Sequence, residues 1–250
     1  MGKVERYIQR RIKEEGAIHI TLLDPERQPP EAAARMASEA EAGGSMAIMV
    51  GGSTVVSTAQ VDDTVKSIKE AVGIPVILFP NNVSGISRHA DAIWFMSLLN
   101  SSNPYFIIKA QVLGAPIVKE YGIEAIPMGY IILTRGSTAA HIGDVYSLPL
   151  NRPRLIASYA LAAQYLGMHF VYLEGGSGAR RPVPTNVVRE VRRTVQIPIL
   201  VGGGIRRGEE AKERVEAGAD IIVTGTIVEE AKKVKGIIEK LVKSIRTARR

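Results

Sequence analysis

The sequence predicts an α/β protein: a single-domain (β/α)8 TIM barrel with an N-terminal helix and an irregular fourth helical segment. Three observations point there. Short β-branched apolar runs recur along the chain, each followed by helical periodicity, as in a parallel sheet buried on both faces. Eight such units follow one another with no long polar linker between them. The length of 250 residues, 46% of them hydrophobic, suits a large core and matches the roughly 250 residues of a closed barrel. An alternating series also fits a doubly wound open sheet, but eight units in this length favour closure.

In chain order, the polar and charged residues 1–15 form the N-terminal helix, and the alternating run 18–23 is the first strand. Helical periodicity over 31–42 stops at Gly43, and strand 46–50 follows. Helix 61–72 stops at Gly73 before strand 75–79. Strand 92–95 leads into the weakest helix, 103–121, which Pro104, Gly114 and Pro116 should break or turn partly to loop. Strand 124–133 is followed by the irregular stretch 135–151, a candidate to fold over the barrel mouth. The remaining strands are 170–173, 198–201 and 220–223. Helices 154–166, 186–195, 209–217 and 229–245 alternate with them, two ending at Gly167 and Gly218.

Composition removes several chemistries. The chain has no cysteine, which excludes disulfides, thiolate metal sites and a cysteine nucleophile, and fits a reducing compartment. No apolar run reaches the roughly 18 residues of a membrane span, and the polar N-terminus does not resemble a secretory signal. The expectation is a soluble, unprocessed, cytoplasmic protein. The net charge of +7 is spread over Arg10-Arg11, Arg180-Arg181, Arg192-Arg193, Arg206-Arg207 and the tail Arg246, Arg249 and Arg250. Few aromatics accompany it, so nucleic acid is not an expected partner. All but Arg180, Arg181, Arg206 and Arg207 read as solvated helix faces.

Catalytic residues of such barrels lie at the C-terminal ends of the strands. Gly202-Gly203-Gly204 after strand 7 and Thr224-Gly225-Thr226 after strand 8 let backbone N–H groups approach a phosphate, and a helix N-terminus beyond them adds positive potential. Glu174, beside the Gly175-Gly176-Ser177-Gly178 cluster, suits a general base for a substrate hydroxyl. It equally suits an ion pair with Arg180 or Arg206. Strict alternation points Tyr172 the same way as Glu174; a core tyrosine is the alternative. Asp24 and Ser53, after strands 1 and 2, offer oxygen ligands to Mg2+, although Asp-Pro also makes turns and caps. Asp62-Asp63 reads as the acidic first turn of the second helix. His19, His89, His141 and His169 show no metal spacing, and His19 reads as core.

The segments His19–Pro25, Val50–Thr54, Leu98–Ser101, Tyr172–Gly178, Val201–Arg206 and Thr224–Thr226, taken in order, resemble the archaeal geranylgeranylglyceryl phosphate synthase family over nearly the whole chain. The resemblance implies transfer of geranylgeranyl from its diphosphate to the 3-hydroxyl of sn-glycerol 1-phosphate, the first ether bond of archaeal membrane lipids. It implies Mg2+ on Asp24 and Ser53. Glycerol phosphate would lie on Tyr172, Leu173, Glu174, Gly175, Gly176, Ser177, Gly178, Gly203, Gly204, Gly225 and Thr226, with Glu174 taking the proton. It further implies a homo-oligomer, in the long subgroup often a hexamer, and allows transient membrane contact for the lipid product. An apolar groove for the prenyl tail is sought near Trp94, Phe95, Tyr105, Phe106 and Tyr130. The alternatives are a synthase using a longer polyprenyl donor, another phosphate-binding barrel isomerase or cyclase, and a noncatalytic phosphate-binding module.

Overall fold

The computed structural model describes residues 1–54, 57–134 and 136–248; Arg135, Arg249 and Arg250 lie outside the described residues. The eight strands are β1 (Ile18–Leu23), β2 (Ala47–Val50), β3 (Val76–Leu78), β4 (Ala92–Leu98), β5 (Glu124–Ile132), β6 (Phe170–Glu174), β7 (Ile199–Gly202) and β8 (Ile221–Thr224). They close into one parallel barrel in sequence order, with Thr21 of β1 beside Thr224 of β8. The predicted closed barrel is therefore what forms.

Period-two alternation sorts the strand residues into two cores. Ile18, Ile20, Met49, Ile77, Trp94, Met128, Phe170, Tyr172, Leu200 and Val223 fill the barrel. Leu23, Ile48, Val50, Ile131, Val171, Leu173, Val201 and Ile222 meet the surrounding helices. Helix α1 (Lys3–Glu15) sends Val4 and Ile8 into the inner core. Its first-turn donors would otherwise lack partners; the Glu124 carboxylate accepts the N–H groups of Val4 at 2.7 Å and Glu5 at 2.9 Å. This seals the N-terminal end and leaves the opposite mouth for ligands.

The other helices are α2 (Pro30–Ala42), α3 (Thr58–Ala71), α4 (Ala110–Tyr121), α5 (Thr138–Ile142), α6 (Pro153–Tyr165), α7 (Thr185–Thr194), α8 (Gly208–Glu216), α9 (Thr226–Glu229) and α10 (Val234–Arg246). Four expectations are corrected. Strand β4 runs to Leu98 rather than stopping at Phe95. Helix α3 starts at Thr58 because Ser57 caps it, accepting the Gln60 N–H at 3.3 Å, so Asp62 and Asp63 fall in its second turn rather than its first. The fourth segment is not broken: a π-helical turn, Tyr105–Lys109, runs into α4, which contains Pro116. Pro116 removes one helical donor, while Gly114 and Val118 remain buried against the barrel and hold the helix. The last predicted helix, 229–245, divides into the single turn α9 and the longer α10.

The stretch after β5 is pinned rather than loose. Asn100 donates to the carbonyls of Ile132 at 2.8 Å and Tyr146 at 3.0 Å and accepts the Ile132 N–H at 3.2 Å. Ser101 donates to the Gly143 carbonyl at 2.6 Å. Leu98–Ser101 thus fastens residues 143–146 to the ends of β4 and β5, and Ala139, Ile142 and Gly143 become one wall of the mouth.

Candidate active site

The C-terminal mouth opens on a cavity. Its polar end is lined by Tyr172, Glu174, Ser177, Gly178, Gly203, Gly204, Gly225 and Thr226. Glu174 is the last residue of β6 and points inward with Tyr172, as alternation required. The Gly176 N–H donates to its Oε1 at 2.5 Å, and the Tyr172 hydroxyl bonds to the same carboxyl. Burial pushes the Glu174 pKa up, and those two hydrogen bonds oppose the shift by favouring the anion. Among the described residues no Lys or Arg pairs with it; Arg206 instead pairs with Glu230 at 3.1 Å. A buried, unpaired carboxylate with a raised pKa is equipped to take a proton from a bound hydroxyl. Tyr172 is itself held well above the ordinary tyrosine value by burial and by the Glu174 charge, so it serves as a donor.

Glycine is structurally required at two of these positions. Gly202 faces inward where a Cβ would lie 2.1 Å from the Tyr172 hydroxyl, so its missing side chain makes room for that group. Gly203 has φ +78°, and a Cβ there would fall 2.2 Å from Glu174 Oε1. Backbone N–H groups at this turn can come close to an anion, as can those opening α9, which have no acceptor within the helix. Three residues placed on the substrate by resemblance stand behind the cavity. Leu173 turns outward into the helix-side core. Gly175 donates to the Gly202 carbonyl at 2.9 Å, and Gly176 holds Glu174. They shape the loop instead of lining it, because alternation along β6 sends Leu173 away from Tyr172 and Glu174.

Asp24 and Ser53 both line the cavity, on the far side from Glu174. The Asp24 carboxylate sits against the bare Cα of Gly52, where a Cβ would be 2.3 Å from Oδ1. Oδ1 accepts the Glu26 N–H at 3.0 Å, an Asx turn. Burial raises the Asp24 pKa, while that hydrogen bond and Arg27 pull it back. Among the described residues no three His, Cys, Asp or Glu side chains form a metal cluster. Mg2+ needs none, since it keeps several waters and takes one or two carboxylates plus substrate phosphate. One half-buried carboxylate and one hydroxyl on neighbouring strand ends fit it.

Glu229 is the site residue that sequence reading missed. The sequence pattern puts it at the head of the last helix; the single turn α9 instead returns its carboxylate to the cavity, where it accepts the Asp24 N–H at 3.0 Å and pairs with Arg27 at 3.1 Å. Of the four arginines set apart in the sequence, only Arg206 lines the cavity; Arg180, Arg181 and Arg207 border a neighbouring groove. Arg207 pairs with Glu210 at 2.9 Å in the capping of α8. His19 is core as expected, though on the helix side, with its ring nitrogens 2.7 Å from Ser45 Oγ and 2.9 Å from Thr224 Oγ1.

From the polar end the cavity runs into an apolar arm bounded by Phe79, Ile86, Trp94, Phe95, Phe106 and Tyr130. Four of the five aromatics sought for the groove therefore line it. Tyr105 does not; it packs edge-on against Phe106, ring centroids 5.2 Å apart. Phe79, Tyr130 and Tyr172 form a contiguous cluster with centroids 5.3–5.6 Å apart where the two ends meet. Polar, glycine-rich lining at one end and aromatic, apolar lining at the other suit a ligand with an anionic head and an apolar tail.

Known proteins carry the same plan. The geranylgeranylglyceryl phosphate synthase of Thermofilum pendens is 53% identical over 245 residues, 98% of this chain and 96% of its own. That of Pyrococcus furiosus is 51% identical over 250 residues, 100% and 98% of the two chains. The crystal structure of (S)-3-O-geranylgeranylglyceryl phosphate synthase from Thermoplasma acidophilum, in complex with its substrate sn-glycerol-1-phosphate, superposes with a TM-score of 0.94 at 43% identity, covering 98% and 99% of the chains. Thiamine phosphate pyrophosphorylase from Pyrococcus furiosus, TM-score 0.60 at 18% identity over 93% and 97%, shares the fold alone. The PcrB family model matches residues 9–246, and the chain belongs to the PcrB family.

Proposed function

We propose that this protein is a prenyltransferase that joins geranylgeranyl diphosphate to the 3-hydroxyl of sn-glycerol 1-phosphate, making the first ether bond of archaeal membrane lipids. The observation that carries the reading is one continuous cavity with a buried acceptor carboxylate, Glu174, at its polar end and an aromatic-lined apolar arm at the other. The relatives of known name, at 51–53% identity over nearly the whole chain, support it.

In this reaction a C–O bond forms between the glycerol oxygen and the allylic carbon, and the bond from that carbon to diphosphate breaks. Gly203, Gly204, Gly225 and Thr226 hold the phosphate of the acceptor, so that its free hydroxyl lies toward Glu174. Glu174 takes the hydroxyl proton as the oxygen attacks, and Tyr172 steadies the carboxylate through its hydrogen bond. The apolar arm holds the prenyl chain and keeps water from the allylic carbon. Placing both reactants on one rim supplies the orientation that a bimolecular encounter lacks. Asp24 and Ser53 would hold Mg2+, which when bound neutralises charge on the departing diphosphate.

The proposal extends to a cytoplasmic homo-oligomer, supported by the solvent-exposed Leu155, Tyr165 and Leu166 on and beside α6, and to brief membrane contact for the lipid product. No helix among the described residues is long and apolar enough to cross a membrane. The test is product formation from radiolabelled sn-glycerol 1-phosphate, with and without Mg2+, beside the sn-3 isomer and with shorter and longer prenyl diphosphates. A metal-dependent lipid ether preferring the sn-1 isomer and the geranylgeranyl donor is expected. No product with any donor overturns the reading, and faster turnover with a longer donor revises the tail.

A further inference from the structure

We propose that Glu229 is a positioning residue for the cation site: by holding the Asp24 main chain and drawing Arg27 aside, it keeps the Asp24 carboxylate open to a divalent cation. This rests on the assignment of Asp24 to the cation made above.

Three charged groups share the rim. Arg27 lies 3.1 Å from Glu229 Oε2 through Nη1, but its Nε is 3.8 Å from Asp24 Oδ2. The guanidinium therefore leans on Glu229 while standing one short movement from Asp24. The Glu229 side chain is only 8% exposed, whereas Arg27 is 47% exposed and can swing. A guanidinium that closed on Asp24 would occupy the carboxylate a cation needs, because Arg and a divalent ion compete for the same oxygen lone pairs. The second contact fixes the geometry: Glu229 Oε1 accepts the Asp24 N–H at 3.0 Å, holding the residue that leaves β1 at a set distance from β8. Of the other charged residues nearby, Glu26 donates its N–H to Asp24 Oδ1 at 3.0 Å, and Glu230 and Arg206 pair with each other at 3.1 Å and leave Glu229 to Arg27. Barrel closure makes this possible, since β8 lies beside β1 and α9 needs only one turn from Gly225 to bring Glu229 back over Asp24. The residue that completes the cation rim thus lies four positions beyond a glycine of the phosphate rim, which ties the two halves of the site together.

Mn2+ binding to the full chain, read by the electron paramagnetic resonance signal of the free ion, tests this without reference to turnover. Asp24→Asn should abolish binding. Glu229→Gln keeps an oxygen acceptor for the Asp24 N–H but loses the charge that holds Arg27, and should weaken Mn2+ about 10–100-fold, the usual cost of losing a group that orients a metal ligand. Adding Arg27→Ala to Glu229→Gln should restore affinity, since the competing guanidinium is gone. Arg27→Ala alone should bind Mn2+ as well as the parent or better, and this variant keeps the test open if Glu229→Gln fails to fold. The inference is overturned by parental binding in Glu229→Gln, by a double variant as weak as Glu229→Gln, or by weaker binding in Arg27→Ala. A parent that binds no Mn2+, or an Asp24→Asn variant that binds like the parent, removes the cation assignment itself.

Discussion

Protonation of His19 should unfasten the protein from the inside as pH falls. The imidazole is buried between barrel and helices, hydrogen-bonded to Ser45 and Thr224, and burial pushes its pKa from 6.5 down to about 3. The folded chain therefore refuses a proton that the unfolded chain accepts below pH 6.5. Above pH 6.5 the residue is neutral in both states and contributes no pH dependence. Between 6.5 and about 3 the unfolded state binds more protons, so stability falls with pH by about 1.4 kcal/mol per unit. The loss from this group amounts to roughly 3 kcal/mol at pH 4.5. Urea unfolding from pH 7.5 to 4.5, in the parent and in His19→Gln, measures it. The glutamine variant, which can still bond one hydroxyl at each end of its amide, should start less stable yet lose about 3 kcal/mol less over that range. Parallel curves would refute the reasoning and would mean that His19 is charged or absent from this network in the fold.

Three further outcomes follow from the site. Glu174→Gln should lower kcat by about 10²–10⁴-fold with little change in glycerol phosphate binding; in the parent, kcat/KM should fall with pH at a limb above the ordinary glutamate value, because burial raises this pKa and the base works only as the anion. An unchanged kcat would remove Glu174 from the chemistry. Gly203→Ala should weaken sn-glycerol 1-phosphate at least about 100-fold by calorimetry, since the new methyl meets Glu174 Oε1 and a positive φ adds strain of about 1–3 kcal/mol. Asn100→Ala leaves the Ile132 and Tyr146 carbonyls without their donor, and should cost about 2 kcal/mol in urea unfolding and open residues 137–146 to protease.

Tyr172 and Glu174 were paired correctly because a strand's two-residue period is local: once 170–173 is a strand, both point inward and Leu173 points out. That same period turns the Leu173 side chain into the helix-side core. The strand-end glycines were legible as part of the mouth, and Gly203, Gly204 and Gly225 do line the cavity there. The eight strands were visible because most of their residues are buried and apolar, with polar exceptions such as His19 and Thr21 in β1 and Ser97 in β4. Helix ends were less visible, as at α3, where a serine cap lies four residues before the first strongly apolar position, Val61.

What the tertiary structure decided are contacts between residues far apart in the chain. Nothing near Glu229 marks it as part of a site: it reads as one more acidic residue at a helix start. Closure of β8 on β1 brings it to Asp24, 205 residues away, and only then does it share Arg27. Asn100 likewise takes its role only from the fold, which sets the Ile132 and Tyr146 carbonyls and the Ile132 N–H around its amide. The fourth helix survives Pro116 because the barrel behind it supplies packing that no propensity scale contains. Periodicity and backbone chemistry are written along the chain; closure, which chooses the neighbours of each side chain, is a property of the whole barrel.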